Sequence, residues 1–397
     1  MWRTLHTYCL RWLFPVFVFS VPFQARFVLG SWTQPFNEWT SAFLWGTDIL
    51  FVLLIIFNFQ FSISKKDLLL FAFLAIAAIS ISQALIPAVS WYRFAKLLEY
   101  ILLFFFVRQQ KLSPLVYKAV VASALLQSLI AIVQYVVQHD LGLRLLGESV
   151  LDPHGQGVAV VAANSQTYLR AYGTTPHPNI LATWLMLGIW ALWAWRPKWH
   201  LFVLPVLLVS LFLTFSRTAI AVWVLCSMIM WFFHRRDPLK IIAVTAVVGF
   251  LFAISFWPQV YSRLHISSSD EAVSQRVFYN DIAGKNILTV GNGIGQFVPN
   301  LMQKLPLYPD FIYQPAHNMF LLMMNEIGIL GLATFLLWLF VAVRKSHVLL
   351  AIILLAVFDH YFWTLQQGGL IMWGLLGFFV RDRIQEPTYE QENPSIS

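Results

Sequence analysis

Charge is scarce in this chain. Asp, Glu, Lys and Arg make up 11% of its 397 residues, against 59% hydrophobic and 16% aromatic residues. A water-soluble surface carries about 25% charged residues, so that class is excluded. Cysteine is nearly missing too. Cys9 and Cys226 lie far apart in apolar segments, which excludes a disulfide framework and reads as packing; the redox compartment does not follow from them. The ten histidines lack the i, i+4 or cysteine-linked spacing of a zinc site. There is no Gly-x-Ser-x-Gly nucleophile elbow and no internal repeat of the inverted-transporter kind. GNGIGQF at 291–297 has the glycine density of a nucleotide loop but follows no strand of a βαβ unit, so a tight turn is expected. The net charge of +8 follows membrane topology, which argues against a nucleic-acid partner.

What the chain has in abundance is apolar runs of about 17 to 25 residues, the length a helix needs to cross a hydrocarbon layer of about 30 Å. Strand-like alternation is absent from them. Spans are expected near 10–28, 45–61, 68–86, 91–107, 113–137, 179–195, 199–215, 218–233, 239–256, 318–341, 347–363 and 367–380. The expected fold is therefore an all-α polytopic membrane protein of about twelve transmembrane helices, one domain over 1–385 with a polar tail at 386–397. RWLFPVFVFSVPF has no small-residue cleavage site after it and reads as a retained helix. The basic clusters MWRTLHTYCLR, SKK, RQQK, WRPKWH, HRRDPLK, VRKSH and RDR fall on one side in an alternating count, which places that side and both termini in the cytoplasm. Two long polar segments, 138–178 and 257–317, then face outward. A loop of that second length carries function or short helices of its own, and SSSDEAVSQRVFYNDIAGKNIL has patches of helical spacing suited to lying over the membrane face.

Arginines on the outward side need a further reason. They are Arg26, Arg93, Arg144, Arg170, Arg217, Arg263 and Arg276. Arg217 in LFLTFSRTAIAVW stands almost between two apolar spans, where an arginine costs several kcal/mol unless it snorkels or meets an anion. Both readings stand: a headgroup contact, or a guanidinium fork for phosphate or pyrophosphate. Arg276, in SQRVFYN, gains weight only in such company. Arg170 precedes AYGTTPHPNILATW, in which Asn179 reads either as a helix N-cap behind Pro178 or as a substrate contact, and His177 is open in the same way. His317 stands at the outer end of the tenth span with Asn318 as its cap. A base of near-neutral pKa beside anion-binding forks is equipment for activating a hydroxyl while a phosphate departs. Glu326, inside the same helix, is either an arginine partner or a hydrogen-bond acceptor, and Asp48, Asp359 and His360 read as intramembrane packing groups.

The order RAYGTTPHPNILA, TFSRT, SQRVFYN with GNGIGQF, then HNMFLLMMNEIGILGL resembles the O-antigen ligase and polymerase superfamily of membrane glycosyltransferases, over residues of about 165–335. The resemblance implies a C-type glycosyltransferase architecture in the bacterial cytoplasmic membrane, with an extracytoplasmic active site. Such proteins move a glycan from undecaprenyl pyrophosphate to an acceptor hydroxyl, of lipid A core in ligases or of another glycan in polymerases. By motif, Arg217 and Arg276 would bind the pyrophosphate and His317 would be the general base. Arg170, His177, Asn179, Asn318 and Glu326 are the expected substrate-binding residues. Arginines can do the electrostatic work of a divalent ion, so a metal-independent, cofactor-free, inverting transfer is expected. A polymerase using the same donor, and a lipid-linked glycan transporter, are the alternatives.

Overall fold

The computed structural model describes residues 12–57, 63–110, 113–234, 239–265, 271–285, 287–342 and 346–379. The tail at 386–397, Cys9 and the basic residues at 1–11 lie outside them. A helix stands at each of the twelve expected places: α1 over residues 12–20, α2 Gly46–Phe57, α3 Asp67–Ser80, α4 Pro87–Gln109, α5 Pro114–Val137, α6 Pro178–Trp195, α7 His200–Leu213, α8 Arg217–His234, α9 Leu239–Ser255, then α10 Trp257–Leu264, α11 Glu271–Lys285 and α12 Phe297–Lys304 in the long polar segment, followed by α13 Met319–Ala342, α14 His347–Phe358, the single turn α15 Tyr361–Thr364 and α16 Gln366–Phe379. Among the described residues α5, α6 and α13 are long and apolar enough to cross a membrane alone; α9 with α10, bent by 101°, is a fourth if counted as one broken span, and α2, α3, α7, α8 and α14 are shorter apolar helices. The chain is a largely helical integral membrane protein.

Two corrections to an all-helical reading follow. β1 Arg26–Ser31 pairs antiparallel with β2 Ser41–Trp45, and β3 Val160–Ala163 with β4 Gln166–Leu169. The second hairpin turns on Asn164 and Ser165, both at positive φ (51° and 60°), the geometry of a two-residue hairpin loop whose twist matches its strands. The first hairpin consumes residues assigned to the end of the first span, because RFVLGS is apolar enough to read as a continuation of the helix before it.

The core is aromatic. Phe104 on α4, Phe335 and Trp338 on α13 and Trp373 on α16 place their ring centroids 5.4–6.3 Å apart, in edge-on and offset contacts that add to the area they bury. Charges inside the bundle are paired, as their desolvation demands. Arg108 holds Asp67 at 2.9 Å, and Lys96 holds Asp48 at 2.8 Å and Glu99 at 2.6 Å. Asp48, expected as a packing group, is here an ion-pair partner. Cys226 is fully buried in α8.

The glycine-rich motif GNGIGQF is structural. α13 breaks at Gly328 (φ 78°, ψ 174°), and the loop before α12 fits into the break. Asn292 N and Gly293 N donate to the Asn325 and Glu326 carbonyls at 2.9 Å each, while Ile329 N and Leu330 N donate to Leu288 O and Thr289 O at 3.1 and 3.3 Å. Backbone groups that a broken helix would strand in an apolar setting are thereby satisfied. Gln296 Nε2 ties the loop to Ile86 O (2.9 Å) and Ser90 Oγ (3.0 Å) at the start of α4. A Cβ at Gly328 would lie 2.2 Å from Thr289 O, whereas one at Gly284 meets nothing within 4 Å. Gly328→Ala is therefore expected to destabilise the protein by about 1–3 kcal/mol or more, and Gly284→Ala to leave it unchanged. Thermal unfolding of the two variants in detergent checks this; equal melting temperatures would contradict the account.

Candidate functional site

The N-terminal ends of α6, α8 and α13 meet at one end of the bundle, and the break between α14 and α15 joins them. At α6 the N-cap is His177, not Asn179. The residue before a proline is pushed into the extended region, and His177 (φ −157°, ψ 144°) accepts from Asn179 N through Nδ1 at 3.1 Å, with Pro178 in the first helical position. Burial, with the positive charge of Arg170 as the next cause, pulls the His177 pKa down to about 3, so its ring is a neutral cap.

Asn179, released from capping, connects three segments. Its Oδ1 accepts from Arg170 Nη2 (3.0 Å) and Ser216 Oγ (2.8 Å), and its Nδ2 donates to Asp359 Oδ2 at 2.7 Å. Arg170 also donates through Nε to Thr214 O at 2.6 Å. The side chains of Arg170 and Asn179 thus bind protein groups and link these segments. Asp359 at the end of α14 accepts from its neighbour's backbone, His360 N, at 2.8 Å. Its Oδ1 lies 3.9 Å from His317 Nδ1, within ion-pair range and beyond hydrogen-bond length. The His317 side chain is 18% exposed and that of Asp359 12%, leaving the histidine reachable. Asp359 and His360, expected as packing groups, both stand beside His317, the His360 ring 5.3 Å from the His317 ring. His360 Nδ1 meets Thr364 Oγ1 at 2.7 Å, and Trp39 packs edge-on against its ring at 5.4 Å.

Asn318 caps α13, its Oδ1 accepting from Phe320 N and Leu321 N at 3.0 Å each. That fixes where His317 sits. Glu326 takes the second reading offered for it, an acceptor. Its carboxylate receives Phe297 N at 3.3 Å and Trp363 Nε1 at 2.7 Å, which ties it to the glycine-rich loop, and no hydrogen bond connects it to His317.

The arginines gather around this network. Burial lowers the Arg170 pKa to about 9, and the positive charges of Arg263, then Arg276, then Arg217 add to that lowering. Three guanidinium groups from α8, α10 and α11 thus lie in electrostatic reach of a fourth. The charged neighbours of His360 are Asp359, His317, Arg93 and Arg276, which joins the histidine side of the cluster to Arg276. Arg217 opens α8, where the helix dipole also favours an anion. On α11, Tyr279 stands three residues from Arg276, and its ring lies 5.9 Å from His317. Asp359 adjoins His317 and His360 on the histidine side of this cluster.

Residues 201–336 match the family model described as O-antigen ligase. That segment, about a third of the chain, is similar to the O-antigen ligase family. The matched segment holds Arg217, Arg263, Arg276, His317 and Glu326; Arg170, His177, Asn179, Asp359 and His360 flank it and are brought to it by the fold. No curated protein matches the chain. The similarity supports a ligase- or polymerase-like role in glycan assembly.

Ser216, Arg263, Tyr279 and Asp359 were not among the expected site residues and stand in or beside this cluster. Arg263 and Asp359 carried a signal, a charge at or near membrane depth; Ser216 and Tyr279 gain meaning only from contacts across the fold. His317, Asp359 and His360 also bring three donor atoms within 4.8 Å of one another, a set that could hold a metal ion. The surrounding arginines oppose a further cation there. A small cavity of about 30 Å³ adjoins the cluster, lined by Trp39, Arg93, Glu326 and Thr364, and an apolar one of about 440 Å³ lies toward the far end of α6, reaching Trp190, Arg196 and Phe379.

Proposed function

We propose that the protein is an O-antigen ligase-like glycosyltransferase that moves a glycan from undecaprenyl pyrophosphate to an acceptor hydroxyl on the outer face of the cytoplasmic membrane. In this reading the helices form about twelve crossings, both termini are cytoplasmic, and the ends of α6, α8 and α13 that carry the site face outward. The supporting observation is the pairing of His317 with Asp359 inside an arginine cluster. Asp359 accepts from Nδ1–H of His317 once substrate draws the pair together, which leaves Nε2 to take the acceptor's proton. Arg217 and Arg276 hold the pyrophosphate and stabilise the charge that builds on it as the bond to the sugar C1 breaks. The pyrophosphate departs without protonation. One displacement inverts the anomeric centre. Arg170, Asn179 and Ser216 fix Asp359 in place rather than touching substrate.

The test is transfer by purified protein from undecaprenyl-pyrophosphate-linked glycan to candidate acceptors in the presence of a chelator. Undiminished transfer with inversion is expected, and Asp359→Asn should lower its rate about 10²-fold while donor binding persists. A requirement for a divalent ion would contradict the reading and favour metal binding by His317, Asp359 and His360. Transfer to a lipid A core acceptor marks a ligase, and extension of the glycan itself a polymerase. Translocation of donor across proteoliposomes with the pyrophosphate bond intact would mark a transporter.

A further inference from the structure

Arginines recognise charge and His317 handles a proton, but neither recognises a sugar. The inward face of α11 holds a residue suited to that task. Arg276, Tyr279, Asn280 and Ala283 are spaced i, i+3, i+4, i+7 and share one side of the helix. Tyr279 and Ala283 are 1% and 0% exposed and pack with Phe297, Leu301, Tyr313 and Leu322, so this side faces the body of the protein. Tyr279 is anchored by its hydroxyl to Ile312 O, and its ring lies against His317.

On that same side, Arg276 Nε and Asn280 Oδ1 are both buried without a hydrogen-bond partner, as is His317 Nδ1. Burying a polar atom unpaired costs about 1–3 kcal/mol, and the great majority of such atoms in folded proteins are satisfied. Arg276 Nε and Asn280 Oδ1 stand one helical turn apart, a donor and an acceptor that do not satisfy each other. Their needs differ. A pyrophosphate offers acceptors and satisfies Arg276, but it has nothing to give an amide oxygen. Asn280 Oδ1 requires a hydroxyl or N–H donor, and the sugar joined to the pyrophosphate carries these beside its anomeric carbon.

We propose that Asn280 contacts the donor's first sugar, accepting a hydrogen bond from a hydroxyl or amide N–H of the ring that the pyrophosphate bears, and so sets specificity at that ring. This rests on the donor reading given above. It makes α11 a two-part reader, Arg276 for the pyrophosphate and Asn280, one turn on, for the sugar.

The test measures binding of two probes to the full-length protein in lipid nanodiscs: undecaprenyl pyrophosphate, and undecaprenyl pyrophosphate carrying one N-acetylglucosamine. Asn280→Leu is expected to weaken the sugar-bearing probe about tenfold and to leave the sugar-free probe within about twofold of wild type. Asn280→Ser, smaller and still an acceptor, should fall between. Equal weakening of both probes would make Asn280 a support for Arg276 and overturn the proposal, as would no weakening of either. Wild-type protein that binds the two probes equally well also overturns it while leaving the pyrophosphate reading intact. Wild-type protein that binds neither overturns the pyrophosphate reading and this inference together.

Discussion

Replacing His317 by alanine is expected to lower glycan transfer by about 10²–10⁴-fold while donor binding stays within about twofold of wild type. The size follows from the role. A hydroxyl attacks a sugar carbon poorly unless its proton is removed, and His317 is the group beside Asp359 that is partly exposed and free to take it. The variant should fold, because the cap of α13 is supplied by Asn318 and not by His317. Donor binding should survive, because Arg217 and Arg276 are untouched. Single-turnover transfer measured beside equilibrium donor binding separates the two effects. Transfer at the wild-type rate would remove His317 from the chemistry, and a parallel loss of binding would make it a structural residue.

Arg217→Ala and Arg276→Ala are each expected to cost about 10²–10³-fold in transfer, and here donor binding should fall as well. Guanidinium groups that hold a pyrophosphate in the ground state hold it more strongly as charge accumulates on the leaving oxygen. Both kcat and KM should therefore move. Lysine should rescue little at either position, since a point charge does not replace a planar fork that meets two phosphate oxygens. The two substitutions should combine less than additively, because they act on one anion. Additive losses in the double variant would mean that the arginines serve separate ligands. An Arg276→Lys variant with full activity would mean that charge alone suffices.

Much of this was legible in the sequence, and the limits have physical causes. Helix positions follow from apolar runs, because hydrocarbon demands about twenty such residues in a row. Asn318 was legible as a cap because an amide side chain immediately before an apolar run has few other uses. The cap at α6 is His177 rather than Asn179, for which the cap was one of two readings, because Pro178 takes the first helical position. Glu326 was visible as a carboxylate inside a helix, yet its partners Phe297 N and Trp363 Nε1 lie 29 and 37 residues away, a distance no local pattern spans. Asp359 was visible as an intramembrane carboxylate, but its link to the site was not, since Asn179, which holds it, is 180 positions earlier in the chain. The glycine-rich GNGIGQF and the EIGILGL segment read as two motifs, but they are two sides of one joint, formed where the loop fits into the break at Gly328.

The most direct test of the central claim is an experimental structure of the protein with undecaprenyl pyrophosphate bound. The account predicts pyrophosphate between the guanidinium groups of Arg217 and Arg276, its sugar-bearing end toward His317, with the lipid tail leaving sideways into the bilayer. Pyrophosphate bound instead near Arg196 at the far end of α6, with Arg217 and Arg276 both out of contact, would contradict it.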